Sequence, residues 1–141
     1  MNSKLRDIIL NPNNVTIKKP CTSKPNNQIH LKISNPNQKL IIVIINKLSG
    51  GQSGNEYLNS FYRYLNPLQV INLLDETLSK LKLFSSFGNC SLIVAGGDGT
   101  VGSVINYIKE EIPEWGERMP AIAVLPLGTG NDLSRCLGWG G

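Results

Sequence analysis

From Leu40 the chain runs Leu-Ile-Ile-Val-Ile-Ile without a polar interruption and then stops at Asn46. A half-exposed strand would alternate apolar and polar side chains. An unbroken β-branched run is instead the pattern of a strand buried on both faces of a parallel sheet. Two later runs repeat the plan, Cys90 to Ala95 and Ala121 to Leu125. Each run gives way to small residues and then to helical periodicity. The pattern predicts a strand at Leu40 to Ile45, a helix over about Glu56 to Leu65 closed by Pro67, and a short strand at about Gln69 to Asn72. A helix over about Asp75 to Phe87 follows, with Leu78, Leu81 and Phe84 on one face. After the strand at Cys90 comes a helix over about Val101 to Ile112, with Val101, Val104, Ile105 and Ile108 as its inner stripe. The strand at Ala121 leads to a last helix from about Asn131. Strand, small-residue loop and helix in that repeated order predict an α/β fold, a Rossmann-like parallel sheet with helices on both faces. All three loops then fall at the carboxyl edge, where open α/β sheets bind ligands.

The pattern is absent upstream. Asn-Pro-Asn-Asn, Lys-Pro-Asn-Asn and Asn-Pro-Asn-Gln blocks follow one another between Asn11 and Gln38 with little apolar material to bury. Residues 1–38 are therefore expected to be a disordered Asn/Pro-rich tail, and residues 39–141 the globular domain. Ile29 to Ile33 alternates but is assigned to no element. Charge divides one residue further on. Residues 1–39 hold seven Lys or Arg against one acid, Asp7, for +6; residues 40–141 hold seven against nine acids, for −2. The overall +4 thus belongs to the tail, and the folded part offers no basic surface for a nucleic acid. The longest aliphatic run falls far short of the ~20 residues a bilayer span needs, and the charged start lacks the apolar stretch of a secretory signal. A cytoplasmic protein, peripheral at most on a membrane, is expected. Cys21, Cys90 and Cys136 are far apart and His30 is the one histidine, so neither a disulfide framework nor a zinc site is expected. Cys90 and Cys136 are expected to be small core residues.

The chemistry concentrates in the loops. Gly97-Asp98-Gly99-Thr100-Val101-Gly102 matches G-x-G-x-x-G between a predicted strand and helix. Glycines there allow positive φ and close approach of backbone to a phosphate, and the following helix offers free N–H groups. The acid that a dinucleotide site needs after the next strand is missing, since that stretch reads Val124-Leu125-Pro126. Asp98 also sets a negative charge in the anion-binding turn, which a metal-bound nucleoside triphosphate would tolerate better than a bare diphosphate. Gly128-Thr129-Gly130-Asn131-Asp132 occupies the equivalent place after the last strand, with Asn131 or Asp132 a candidate helix cap and Arg135 the nearest cation. Asn46 through Gly54, with Ser49, Gly50 and Gly51, adds donors at the same edge. No G-x-x-x-x-G-K-[ST] occurs.

From about residue 40 to 141 these residues resemble the catalytic domain of diacylglycerol kinases. Gly96-Gly97-Asp98-Gly99-Thr100 is similar to a signature shared with sphingoid and ceramide kinases and with NAD kinases. Leu65-Asn66-Pro67-Leu68-Gln69-Val70, Thr100-Val101-Gly102, Leu125 to Arg135 and Leu137-Gly138-Trp139-Gly140-Gly141 single out the diacylglycerol branch. The resemblance implies ATP and Mg²⁺, and phosphorylation of diacylglycerol to phosphatidic acid in lipid signalling. It implies that Gly96, Gly97, Gly99 and Thr100 cradle phosphates and that Gly128, Thr129, Gly130 and Asn131 line the nucleotide cleft. Asp98 is implied to be the catalytic acid, assisting the attacking hydroxyl or organising Mg²⁺; the metal ligands are not identified. Where the family has Asn-Pro-Lys-Ser-Gly-Gly this chain has Asn46-Lys47-Leu48-Ser49-Gly50-Gly51, and Ser103 replaces a common tryptophan, a change read as helix packing. The family continues beyond the equivalent of Gly141 into a second, mostly β domain, so catalysis by these residues alone is not expected. The alternatives are a catalytically silent nucleotide-binding or interaction module and a sphingoid- or ceramide-type kinase.

Overall fold

Leu40–Ile45 is the inner strand around which the structure is built. In this computed structural model, residues 8–18, 28–32, 38–49, 53–127 and 131–140 are described. Strands β1 (Val15–Lys18) and β2 (Gln28–Leu31) form an antiparallel hairpin. The main sheet comprises β3 (Leu40–Ile45), β4 (Val70–Asn72), β5 (Cys90–Gly96) and β6 (Ala121–Pro126), in the order β4-β3-β5-β6 and parallel throughout. The α-helices are α1 (Ser53–Tyr64), α2 (Asp98–Glu111) and α3 (Asp132–Cys136). The fold is the expected α/β sheet with helices on both faces.

Alternation along each strand divides the core in two. Ile42, Ile44, Ile71, Leu92, Val94 and Val124 face one layer, with Val101, Val104 and Ile108 of α2. Val43, Ile45, Val70 and Ala95 face the other, with Leu58 of α1 and, partly buried, Phe61 and Leu65. Each fully buried side chain of this size contributes about 1.5–3 kcal/mol relative to exposure, so interruption of the aliphatic run at Leu40–Ile45 would weaken both layers together. α1 begins at Ser53, earlier than its apolar pattern suggests, because Gly54 sits on the Lys47 backbone; a Cβ there would lie 2.5 Å from the Lys47 carbonyl oxygen.

The segment expected as a helix over Asp75 to Phe87 is instead a 3₁₀ helix, Leu78–Phe84. Asn72 holds the preceding turn: its backbone carbonyl accepts from Asp75 N and Glu76 N, and its side-chain oxygen from Leu74 N. The apolar positions Leu78, Leu81 and Phe84 repeat every third residue, and a 3₁₀ helix stacks such positions on one face. Leu81 and Phe84 are fully buried.

Residues 8–18 and 28–32, inside the stretch expected to be disordered, pack on the core. Leu10 is fully buried, and Val15 and Leu31 lie against the same layer as α2. The Asn-Pro-Asn-Asn block is a capped turn in which Asn11 accepts from Asn13 N ahead of a 3₁₀ turn at Pro12–Asn14. Polar composition hid this because one leucine and a few amides anchor the segment. Cys90 is buried as expected, and its thiol lies near the Phe84 and Phe87 carbonyls. Cys136 is exposed, contrary to expectation, since it falls on the outer side of a five-residue helix. Ser103 is also exposed, and its hydroxyl donates to the Gly99 carbonyl at 2.9 Å, a bond within its own helix rather than packing between elements. Among the described residues, no helix is long and apolar enough to cross a membrane.

Candidate functional site

β3 connects to β4 on one side, while β5 pairs with β3 on the other. The crevice beyond the carboxyl ends of β3 and β5 is therefore the switch point of the sheet, the ligand position in doubly wound folds. Ile45 and Ala95 are register partners, so Asn46 and the Gly97-Asp98 turn leave the sheet side by side. Asn46 N donates to the Ala95 carbonyl at 2.9 Å, and Leu127 N to the Gly96 carbonyl at 3.3 Å. These bonds tie the exits of β3 and β6 to that of β5.

Asn46 folds its own loop. Its side-chain oxygen accepts from Leu48 N at 3.2 Å, and its carbonyl from Ser49 N at 3.0 Å. Lys47 turns toward the end of β4, with Nζ 4.0 Å from Asp75 Oδ2. Asp75 also accepts from the Asn72 side chain, which is almost fully buried. The positive charge displaced by one position in this loop thus faces Asp75, and Asn72 and Asp75 are polar residues of this edge that sequence reasoning missed. Their signal was a polar residue closing a buried strand. Burial, then the charges of Glu76 and Asp75, raise the Tyr62 hydroxyl above its ordinary pKa.

The glycines of the central turn divide into two kinds. A Cβ on Gly96 would lie 2.8 Å from Thr100 Oγ1 and 2.9 Å from its Cβ, so Gly96 is required by the Thr100 side chain. Gly97 is extended at φ −87°, and among the described residues only Gly138 and Gly140 have positive φ. The expected left-handed conformations are therefore not used at Gly96, Gly97 and Gly99. Gly99 differs from Gly96: nothing lies within 4 Å of a Cβ placed there. The first bonds to the Gly97 carbonyl come from Thr100 N and Val101 N, which leaves Asp98 N and Gly99 N ahead of the bonded turn.

Asp98 reaches across to the third loop. Its carboxylate accepts from Asp132 N at 2.9 Å and Leu133 N at 3.4 Å, so it caps α3 from 34 residues upstream. Asn131, at the cap position, makes no side-chain cap bond and is almost fully buried. Asp132 instead pairs with Arg135 at 3.1 Å on an exposed face. Two local capping candidates were visible in sequence; the cap itself comes from a distant carboxylate, which periodicity cannot register. The structure thus brings Asn46, Ser49, Gly96, Gly97, Asp98, Gly99, Thr100, Asn131 and Asp132 to one edge. Gly50, Gly51, Gly128, Thr129 and Gly130 lie outside the described residues. Among the described residues no three His, Cys, Asp or Glu side chains are grouped to hold a metal ion.

The pattern of the Diacylglycerol kinase catalytic domain family matches residues 40–141. Probable diacylglycerol kinase 3 of Caenorhabditis elegans is 46% identical over 102 residues, covering 72% of this chain and 13% of that protein. Diacylglycerol kinase iota of Homo sapiens is 43% identical over 112 residues, 77% of this chain and 10% of its own length. Diacylglycerol kinase theta of Homo sapiens is 42% identical over 113 residues, 79% and 12% respectively. The matched region is thus a small part of each relative. No solved structure matches the chain at the same stringency.

Proposed function

This chain belongs to the diacylglycerol kinase catalytic-domain family, and from that premise we propose that residues 40–141 are the nucleotide-binding part of a kinase that phosphorylates diacylglycerol. The reaction joins the lipid hydroxyl oxygen to the γ-phosphorus of ATP, breaks the bond to the β-phosphate, and releases ADP, phosphatidic acid and the hydroxyl proton. The observation that carries this reading is the pairing of an open Gly99 surface with Asp98 at the switch point of the sheet.

The residues fit a nucleotide triphosphate. Asp98 N and Gly99 N open a 14-residue helix directed at the crevice, where aligned N–H groups favour phosphate oxygens. No Cβ at Gly99 obstructs them. A Mg²⁺ ion fits as a companion of the triphosphate, since it keeps waters and needs only one or two carboxylates. When bound, Mg²⁺ would supply neutralisation of the phosphate charge. Asp98 is the carboxylate at the Gly97 turn. Two amides occupy part of its acceptor capacity, and about two lone-pair positions remain for the attacking hydroxyl or for a metal-bound water. The same bonds fix α3, and with it Asn131, relative to the Gly97 turn. Rate enhancement comes from positioning and charge stabilisation, as in phosphoryl transfer generally. Because the substrate resides in a bilayer, the complete enzyme works at a membrane surface, on cytoplasmic ATP.

The test is transfer of labelled phosphate from ATP to diacylglycerol in mixed micelles by the complete catalytic domain, with and without Asp98→Asn. The substitution is expected to lower kcat by about 10²–10⁴-fold, the usual contribution of a positioned acid–base group. Full activity of Asp98→Asn removes Asp98 from the mechanism, and phosphorylation confined to sphingoid bases overturns the substrate.

A further inference from the structure

We propose that the cavity at the amino edge of the sheet is a second anion site, which binds inorganic phosphate or a small phosphomonoester. The cavity holds about 310 Å³ and is bounded by Lys39 ahead of β3, Asn89 and Ser91 around the start of β5, and Trp115, Arg118 and Met119 of the connection into β6. β5 is seven residues long, which separates this edge from the Gly97 turn by about 20 Å at the usual strand rise. It is therefore distinct from the nucleotide crevice.

Charge decides what the cavity takes. Lys47, Lys80, Lys82 and Arg135 each face a carboxylate within 4.0 Å. Lys32, Lys39, Arg63, Lys109 and Arg118 have no ion pair among the described residues, and of these Lys39 and Arg118 line the same concave surface. Two cations sharing a cavity repel each other, and an anion between them reverses the sign of that term. Glu114 and Glu117, from the same connection as Arg118, are exposed and do not line the cavity. An arginine fork and a lysine point charge lining one cavity suit phosphate oxygens. The volume lies near the small end of the ~300–1,000 Å³ range of ligand pockets, which favours a phosphate group with a short substituent over a nucleotide. Trp115, nearly fully buried, gives the site a fixed wall.

The site stands apart from the kinase reading, and each fails separately. The test titrates the ¹⁵N-labelled chain with inorganic phosphate and follows amide shifts at both edges. Saturable shifts are expected at Asn89, Arg118 and Met119, with a midpoint weakened roughly tenfold or more in Lys39→Gln/Arg118→Gln, the loss expected for two charge-assisted contacts. Both replaced side chains are exposed, and an unchanged spectrum elsewhere reports an intact fold. Shifts confined to Gly97–Thr100, shifts that never saturate, or an unaltered midpoint in the double variant would each overturn the proposal. A parallel arm adds phosphatidylcholine vesicles with and without phosphatidic acid. Displacement of vesicles by inorganic phosphate supports the pocket and identifies a lipid phosphate as one source. Vesicle binding that needs both cations but accompanies no saturable phosphate shifts overturns the pocket in favour of a flat membrane contact.

Discussion

The two ends of the sheet use polar groups in opposite ways. Near the start of β4, Gln69 is fully buried and both polar atoms of its amide are bonded: Oε1 accepts from Leu10 N at 2.6 Å, and Nε2 donates to the Ile8 carbonyl at 2.8 Å and the Ile41 carbonyl at 2.6 Å. Asn66 and Gln38 donate to the Leu10 and Ile9 carbonyls at 3.3 and 2.8 Å. These bonds attach residues 8–10 to the sheet. At the carboxyl edge, Asp98 is bonded by two amides yet partly exposed, and Gly99 faces open space. Buried, bonded amides serve stability, whereas a partly exposed carboxylate beside unobstructed backbone matches the proposed ligand site. Polarity alone does not separate the two roles; what separates them is whether unused hydrogen-bonding capacity is open to solvent.

The comparison breaks most visibly at Gln69. Gln69→Leu retains approximate volume but leaves Leu10 N without its partner and removes one bond each from the Ile8 and Ile41 carbonyls. Leaving buried polar groups unsatisfied costs about 1–3 kcal/mol, and several are affected, so a loss of about 3 kcal/mol is expected in urea unfolding. Nucleotide affinity, measured where both proteins remain folded, should be unchanged. A variant that unfolds at the wild-type urea concentration would show that the segment at 8–10 is not held by this amide.

Gln69 also shows what the sequence could express. The aliphatic runs at Leu40 and Cys90 and the small-residue turns after them made the parallel sheet and the position of the crevice readable, because burial on both faces leaves a composition signal. Gln69 was visible as the start of a short strand and as part of a resemblance, but its anchoring role was not, since its partners lie 28 to 61 residues away. The cap that Asp98 provides for α3 was hidden for the same reason. The 3₁₀ segment was misread although its three-residue spacing was present, because one apolar stripe of three residues fits either helix. Gly96 looked like a ligand glycine; its neighbour Thr100 requires it.

Cysteine reactivity gives a second, smaller contrast. Burial pushes the Cys90 thiol up to about 12 from an ordinary 9.0, whereas Cys136, beyond the carboxyl edge, is exposed. A thiol reagent should modify Cys136 and spare Cys90 in the folded chain. Between the two pKa values the folded state keeps a proton that the unfolded state has lost. The stability from this difference is whole below pH 9 and falls as pH rises toward 12, with a limiting slope of about 1.4 kcal/mol per pH unit. Comparison of unfolding at about pH 8 and about pH 10 should therefore show a drop roughly 1 kcal/mol larger for wild type than for Cys90→Ala. Equal drops would mean that the thiol is open to solvent.

The smallest effects separate the two kinds of glycine. Gly138 follows α3 at φ +72°, where Gly138 N donates to the Arg135 carbonyl and Trp139 N to the Ser134 carbonyl. This is the paired bonding of a helix stop that needs a left-handed residue. Gly138→Ala is expected to cost about 1 kcal/mol, the penalty of that conformation for an L side chain. Gly99 is in the first turn of α2 without positive φ, and an added methyl meets nothing within 4 Å. On helix propensity alone, Gly99→Ala should leave stability unchanged or raise it by up to about 1 kcal/mol. Its methyl would, however, stand over the N–H groups proposed to receive phosphate. Unfolding and ATP titration of the two variants thus give opposite patterns: Gly138→Ala loses stability and binds ATP as wild type does, while Gly99→Ala stays stable and binds ATP several-fold more weakly. If Gly99→Ala instead bound ATP normally, the open surface at the carboxyl edge would be spare room rather than a phosphate cradle, and the distinction between the two edges would rest on Asp98 alone.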